Sequence, residues 1–420
     1  MNNEQFDVIV VGSGTCGATI ARELVRQNKK VLLLEQGSAK PLKETFAGIG
    51  AIAKEFVVGD KLKAMTAMTV GGATGLYFGV CKLPTQATYD KMGIDFSHEL
   101  GEVIRELGVA ELPDHFLPPQ SIKVRDSANA LGFPFKKNLM LVDQNKCVDG
   151  AYSYDAKWKA RTYVDEAVNG GATLMSMATV EKIIVENGRA VGVEYKAKKG
   201  FGSTIGKAFA RKIVLSAGSL VTPKLLMSCG IKDIGNRGFF FKPGFMVCGT
   251  VPGMKGRDAF LGCLDTDLGG GVSIGDGSMN ASMFKLVMLA NMKWKHIFAH
   301  PTTVSVGVLM SDTMGGEIGK EGRYSKQLST EQMAKLKSAE DVAIRILKHA
   351  GAKGIFTTKL SAGIPGGALR INEHLDQDMQ TTIRDLYVCD HSLVSDEKIT
   401  PTLPLISLGR RLAKHLNSTL

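Results

Sequence analysis

The chain opens on an unbroken apolar run. Asp7 is followed by Val8, Ile9, Val10 and Val11, β-branched residues without alternation, the pattern of a strand buried on both faces. Gly12-Ser13-Gly14-Thr15-Cys16-Gly17 comes next, and residues 18–28 predict a helix with Ile20, Leu24 and Val25 on one side. Residues 31–34 are a second buried strand, ending at Glu35 and Gln36. Further along, 180–185 and 189–195 predict two strands joined by Asn187-Gly188, a strong tight-turn pair. Residues 212–218 read as another buried strand that ends in the small residues Ala217 and Gly218, and 219–228 as a helix. Strands are also predicted at 245–251 and 302–309. Residues 329–350 predict a helix with Ser329 as its cap and Gln332 as the capping-box partner.

Strand, glycine turn, helix, strand and acid, in that order and at these lengths, are the parts of a dinucleotide-binding βαβ unit. Gly12 permits the tight turn, Gly14 lets a pyrophosphate approach the backbone, and Gly17 lets helix and strand pack closely. The helix N-terminus then offers free N–H groups and the positive end of its dipole to phosphate. Glu35 is placed to accept hydrogen bonds from a ribose diol and would repel a 2′-phosphate. A mid-chain hairpin and a later strand ending in Ala217-Gly218 select FAD in extended form over NAD, whose domains continue instead as repeated βαβ units.

Four separated blocks carry a more specific likeness. They are Val70-Gly71-Gly72-Ala73-Thr74-Gly75, the stretch 150–172, the stretch 216–231 from Ser216 to Ile231, and Asp390-His391-Ser392 followed by Thr400-Pro401-Thr402. Together they resemble the glucose–methanol–choline (GMC) oxidoreductases. The resemblance implies an α/β fold: a Rossmann-like FAD-binding domain and an α+β substrate domain built on an antiparallel sheet. The FAD domain is expected from residues 1–80, 150–240 and 365–420, and the substrate domain from 81–149 and 241–364. The cofactor residues it implies, with those of the glycine turn and Glu35-Gln36, are Gly71, Gly72, Ala73, Thr74, Val180, Ala217, Gly218, Asp390, His391, Thr400, Pro401 and Thr402.

The chain departs from that family where alcohol-oxidising members carry their proton chemistry. Ile364 stands at the position of the catalytic His, and Thr400 at that of the Asn before Pro, a hydroxyl that cannot serve as a base near neutral pH. The candidate catalytic residues are therefore His391, Tyr77 and Thr400. His391 either exchanges a proton near the flavin or packs and hydrogen-bonds to it. Tyr77 either donates a proton or packs under the ring. Covalent attachment in the family it resembles, where present, is through a His near this Gly-Gly segment; no His lies near Gly71-Gly72, so the resemblance implies non-covalent FAD. The function this implies is an FAD-dependent oxidoreductase, a dehydrogenase or reductase. It would move hydride between flavin and a small organic substrate, an alcohol or a C–C/C=C group, apolar ones included, with a separate electron acceptor or donor. The alternative is an FAD-binding protein without alcohol-oxidising chemistry: a non-redox isomerase or lyase, or an electron-transfer subunit.

Composition narrows the partners. In 420 residues, 44% hydrophobic and 22% charged, there is no Gly period, low-complexity tract or sustained heptad, which excludes collagen, disorder and coiled coil. The net charge of +11 is spread in ones and twos, as at Lys29-Lys30 and Arg410-Arg411, so no nucleic-acid partner is expected. The 7 cysteines form no Cys-x-x-Cys pair, which argues against a metal site and for free thiols in a reducing compartment. Cys16 is read as a small residue in a crowded turn and Cys389 as core. No signal pattern and no run of about 18 apolar residues is found, giving a cytoplasmic expectation with peripheral membrane contact allowed. Glu373 and His374 are expected on the surface. Met279, Met283, Met288 and Met292 run into Lys293-Trp294-Lys295, either as core, as the lining of an apolar substrate cavity, or as an amphipathic surface for lipid or quinone entry.

Overall fold

A computed structural model of the chain describes residues 5–420 apart from 60, 61, 201, 320, 321 and 364. One sheet is formed by β1 (Phe6–Val11), β2 (Val31–Leu34), β3 (Thr173–Met175), β4 (Ala178–Glu186), β5 (Arg189–Lys199), β6 (Gly202–Leu215) and β7 (Leu386–Val388). Its parallel part runs β7-β6-β1-β2-β3. Strands β4, β5 and the first half of β6 extend it as an antiparallel arm. β1 is covered on both faces, and Val8, Ile9 and Val10 are fully buried, which is why its run carries no alternation. The arm turns at Asn187 (φ +49°) and Gly188 (φ +73°), two left-handed residues in succession as a two-residue hairpin requires.

Four helices stack beside this sheet: α1 (Thr15–Val25), α2 (Ser97–Leu107), α3 (Ala160–Asn169) and α4 (Thr402–Thr419). α1 lies against α3 and α4, and α4 against α2. A Cβ on Gly409 would sit 3.1 Å from Thr19 Cβ, so that glycine sets how closely α4 approaches α1. A charged network ties the stack. Arg22 Nη1 donates to Glu106 Oε1 at 2.6 Å, the Tyr163 hydroxyl donates to the same oxygen at 2.7 Å, and Arg410 donates to Oε2.

Among the described residues the second sheet has nine strands. In order they are Ala53–Val57, Lys63–Ala67, Ser361–Ala362, Pro243–Thr250, Thr303–Met310, Val272–Asp276, Leu264–Gly269 and Lys136–Lys137, with Lys353–Thr357 also paired to Pro243–Thr250. All pairs are antiparallel except a single parallel bridge between Ala362 and Ala64. The helix Thr330–His349 packs on this sheet, with the expected capping box of Ser329 and Gln332 formed.

Three local differences from the sequence reading have physical causes. α1 starts at Thr15, three residues earlier than expected, because Gly14 takes the extended cap position; it stops at Val25, and Asn28 turns left-handed at φ +57°. The helix after β6 shortens to Thr222–Ser228, starting where Pro223 can occupy the first turn. The hairpin Ala53–Ala67 lies within the stretch 1–80 but pairs into the second sheet.

Candidate active site

The glycine turn between β1 and α1 forms one wall of a cleft. Gly12 has φ +99°, and a Cβ there would stand 2.2 Å from the Ser216 carbonyl oxygen at the end of β6. A Cβ on Gly17 would meet the Gly12 carbonyl oxygen at 1.9 Å, so α1 can pass close to the turn only with glycine there. Gly14 has nothing within 4 Å of its Cβ direction. It is also the cap of α1, where no side chain hydrogen-bonds and no acidic residue occupies the first turn. The first turn of α1 therefore has no side-chain cap and borders the cleft with its positive end.

The cleft, taken together with the open solvent at its mouth, spans about 1100 Å³. Gly12, Gly14, Thr15, Cys16, Glu35, Gln36, Gly72, Ala73, Val180, Ala217, Gly218, Asp390 and His391 line it. Phe56, Thr66 and Ala67 border it too, from the hairpin of the second sheet. The two glycine turns meet at its base, where a Cβ on Gly72 would stand 3.1 Å from Gly14 Cα. Glu35 is buried: its Oε2 accepts from the Ser13 N–H and hydroxyl, and its Oε1 from the Gly37 N–H at 2.6 Å. A carboxylate has about four acceptor positions, so one on Oε1 stays free.

Asp390 clasps two turns. Its Oδ2 accepts from the Gly218 N–H at 2.9 Å and the Thr222 hydroxyl at 2.5 Å, and its Oδ1 from the Ser392 N–H and hydroxyl at 2.8 and 2.5 Å. Burial raises its pKa against the pull of these four bonds. Next to it, His391 is held edge-on to Phe240, ring centres 5.7 Å apart, with Nδ1 3.1 Å from the Pro365 carbonyl oxygen. A carbonyl can only accept, so Nδ1 carries the hydrogen and Nε2 keeps a lone pair. Burial, with the Lys242 charge nearby, brings the His391 pKa down to about 4. Lys242, itself lowered to about 8 by burial, gives its ammonium to the Ile399 carbonyl at 2.5 Å.

Several expected residues stand elsewhere. The Tyr77 hydroxyl donates to the Trp158 carbonyl at 2.5 Å, the ring packs against the apolar cluster that includes β1 and α3, and Tyr77 does not line the cleft. Thr400 precedes α4, Pro401 caps it and Thr402 begins it, and none of the three is among the lining residues; Leu405, one turn on, is. Ser13, Gly17, Gly71 and Thr74 lie behind the surface: Gly71 donates its N–H to Ser13 Oγ at 3.1 Å, and the Thr74 hydroxyl donates to the Gly71 carbonyl at 2.6 Å. The Cys16 thiol donates to the Leu405 carbonyl at 3.3 Å, and burial pushes its pKa well up, so no thiolate is offered. His374 is buried rather than exposed: its Nδ1 accepts the Arg370 N–H at 3.2 Å and its Nε2 meets the Asp233 carbonyl at 2.9 Å, which locks a turn. Ile364 lies outside the described residues.

Sequence reasoning missed Ser219. It is buried at 2% exposure, it lines the cleft, and its hydroxyl has no partner. The signal was its place directly after the Ala217-Gly218 turn. Among the described residues no group of His, Cys, Asp and Glu could hold a metal ion.

A parallel sheet with an uncapped glycine turn, an antiparallel arm and a second sheet bordering the same cleft define a two-sheet α/β fold of the dinucleotide-binding class. Residues 6–238 match the GMC oxidoreductase family, and the chain belongs to it. It is similar to the long-chain-alcohol oxidase FAO3 of Arabidopsis thaliana, 25% identical over 408 residues covering 84% of this chain and 54% of the oxidase. The uncharacterized protein MJ1450 of Methanocaldococcus jannaschii is 24% identical over 419 residues, covering 98% of this chain and 100% of that one. (R)-mandelonitrile lyase 1 of Prunus serotina is 27% identical over 251 residues, 54% of this chain and 44% of the lyase. The chain thus spans about half the length of the oxidase and lyase it matches. In fold it is similar to pyridoxine 4-oxidase from Mesorbium loti, TM-score 0.68 at 14% identity over 98% of this chain and 99% of that one. Formate oxidase of Aspergillus oryzae superposes at TM-score 0.66 and 14% identity, over 100% and 99%.

The family uses FAD. The residues of this cleft fit it: an uncapped helix end for phosphate, one free acceptor on Glu35, and an orphaned hydroxyl on Ser219. No helix among the described residues is long and apolar enough to cross a membrane.

Proposed function

We propose that the chain is an FAD-dependent oxidoreductase that moves a hydride between FAD and a small organic substrate, with the cofactor held non-covalently. The observation that supports this most directly is the uncapped N-terminus of α1 at the cleft, beside the neutral imidazole of His391. When bound, FAD supplies the site that takes or gives the hydride.

The chain's own residues then have separable tasks. Thr15 and Cys16 N–H groups at the head of α1 bind the pyrophosphate, where Gly14 leaves room for it. Glu35 Oε1 accepts from a ribose hydroxyl, and the Ala217-Gly218 turn, held by Asp390, gives backbone contact. His391 Nε2 accepts the substrate proton as the hydride leaves carbon, so an alcohol would end as a carbonyl with both hydrogens accounted for. Residues 1–80, 150–240 and 365–420 act as the FAD unit and 81–149 with 241–364 as the substrate unit, with the hairpin Ala53–Ala67 bridging them. A small-molecule substrate and a separate electron acceptor complete the cycle.

One observation favours the other reading, an FAD-binding isomerase, lyase or electron-transfer protein. Tyr77 and Thr400 both stand off the cleft, which leaves His391 as the only one of the three catalytic candidates on it. A relative named as a lyase is in keeping with that. An anaerobic visible spectrum of the FAD-loaded protein, before and after alcohols, saturated acyl compounds and reduced carriers, decides between them. Bleaching of the flavin bands by one of these classes is expected. Bleaching by dithionite alone would overturn the oxidoreductase reading. Acid precipitation should leave the flavin in the supernatant.

A further inference from the structure

From Gly277 to Ser311 the chain has no acidic residue, and it carries Lys285, Lys293 and Lys295. Folded, this stretch leaves Met292, Trp294 and Phe298 in solvent at 62%, 64% and 84% exposure, on the turn that follows the helix Ala281–Ala290. Met292 holds the left-handed position after the helix at φ +56°, a place ordinarily given to glycine, and still presents its side chain outward.

Cations stand among these apolar groups. Lys285 Nζ is 5.7 Å from the Phe298 ring centre, and Lys293 Nζ is 4.8 Å over Phe356. Lys359, exposed, is bound to the same helix end through its N–H to Asn291 Oδ1 at 2.6 Å. Among the described residues, none of Lys285, Lys293, Lys295 and Lys359 pairs with a carboxylate. Two carboxylates on neighbouring segments are engaged elsewhere: Asp258 accepts from the Ala281 N–H at 2.8 Å, and Glu340 holds Lys337 at 2.9 Å and the Thr357 hydroxyl.

Exposed rings on a short turn, ringed by unneutralised ammonium groups, match the depth profile of a bilayer surface: rings at the acyl boundary, ammonium groups at the phosphates. We propose that this face docks peripherally on an anionic phospholipid membrane. Ile297 and Phe356 at the patch pack on the apolar cluster that includes Met283, Met288 and Ala67, and Ala67 lines the cleft. Docking would therefore set the membrane against the cluster that borders the candidate active site. The proposal stands independently of the redox chemistry.

The test is sedimentation with vesicles of phosphatidylcholine, with and without phosphatidylserine, alongside tryptophan emission. The chain has 2 Trp, and Trp158 is fixed edge-on to Tyr163, so Trp294→Phe isolates the reporter. Wild-type protein should pellet with the serine-containing vesicles and shift its emission to the blue, and the shift should vanish in Trp294→Phe. Trp294→Ala with Phe298→Ala should weaken binding about tenfold or more, and Lys293→Glu with Lys295→Glu should remove the preference for anionic vesicles, roughly fivefold per lysine. Circular dichroism confirms that these surface variants fold. Equal pelleting with both vesicles, or pelleting unchanged in either variant, would overturn the proposal. So would a lipid-free dimer, seen by analytical ultracentrifugation, that Trp294→Ala dissolves, since the face would then belong to a second copy of the chain.

Discussion

Ser13 and Glu35 are joined twice through one oxygen: the Ser13 N–H and the Ser13 hydroxyl both donate to Glu35 Oε2, at 3.0 and 2.7 Å. Because Gly71 donates its N–H to the same hydroxyl at 3.1 Å, a single buried serine connects the first glycine turn, the acid after β2 and the second glycine turn. Ser13→Ala deletes a charge-assisted bond and strands the Gly71 N–H. A loss of about 2 kcal/mol in unfolding free energy is expected. Denaturant unfolding of the apoprotein measures it; a loss within the noise would show that the junction is held by other contacts.

Gly14 and Gly17 separate binding from folding. A Cβ on Gly17 would collide with the Gly12 carbonyl, whereas one on Gly14 enters open space in the cleft. Gly17→Ala should fail to give folded protein. Gly14→Ala should keep the apoprotein's melting temperature and weaken FAD binding about tenfold or more, because the methyl occupies the phosphate approach. A flavin fluorescence titration reads the second effect. Unaltered affinity in Gly14→Ala would move the cofactor away from this helix end.

Ser219→Ala should act with opposite signs on the two states. The orphaned hydroxyl is a cost to the apoprotein, so its removal should stabilise that state by about 1 kcal/mol. If bound FAD supplies the same hydroxyl with a partner, its loss should weaken binding several-fold. Thermal melts with and without FAD test both. A variant less stable in both states would mean that the hydroxyl is already satisfied in the apoprotein.

The legible parts of this fold were those whose signals are local. β1, its glycine turn, α1 and β2 follow within 30 residues, and Asn187-Gly188 fixes its own hairpin. The hairpin Ala53–Ala67 was not legible as part of the second sheet, since its neighbour there is Ser361–Ala362, far along the chain and only two residues long. Likewise the motif Thr400-Pro401-Thr402 could be found by resemblance, but which turn of α4 reaches the cleft depends on the α1–α4 contact at Gly409. That contact brings Leu405 to the lining instead. His374 looked like a surface residue because only the folded turn shows the Arg370 N–H and the Asp233 carbonyl that hold its ring.

Glu106 should make stability pH-dependent at the acid end. Its burial alone would raise its pKa, but hydrogen bonds from Arg22, Arg410 and Tyr163 outweigh this and hold it at about 2. The carboxylate therefore contributes stability that is complete above its unfolded pKa, near 4.5, and is lost as pH falls toward 2. The side chain is one-third exposed, so solvent screening reduces the contribution to about 2 kcal/mol. Glu106→Gln should flatten the unfolding free energy between pH 5 and 3 relative to wild type; parallel curves would remove the network from the account.

His391 joins the proposed chemistry to a second acid response. With Nδ1–H held by Pro365 and its pKa near 4, the ring is neutral at physiological pH and presents Nε2 as an acceptor. His391→Ala should retain FAD and slow flavin reduction by at least about 100-fold, the scale of a lost acid–base group. The same depressed pKa has a stability sign. Above its ordinary value of 6.5 neither state of the apoprotein carries the proton; as pH falls from there the unfolded chain binds it and the folded chain does not, until about 4. Stability is thus lost across that window, by about 3 kcal/mol at most. His391→Gln, which keeps an N–H for Pro365 and cannot titrate, should lose less than wild type between pH 7 and 4. A wild-type curve no steeper than the variant's would mean that His391 takes its proton in the folded state and is free to act as an acid instead.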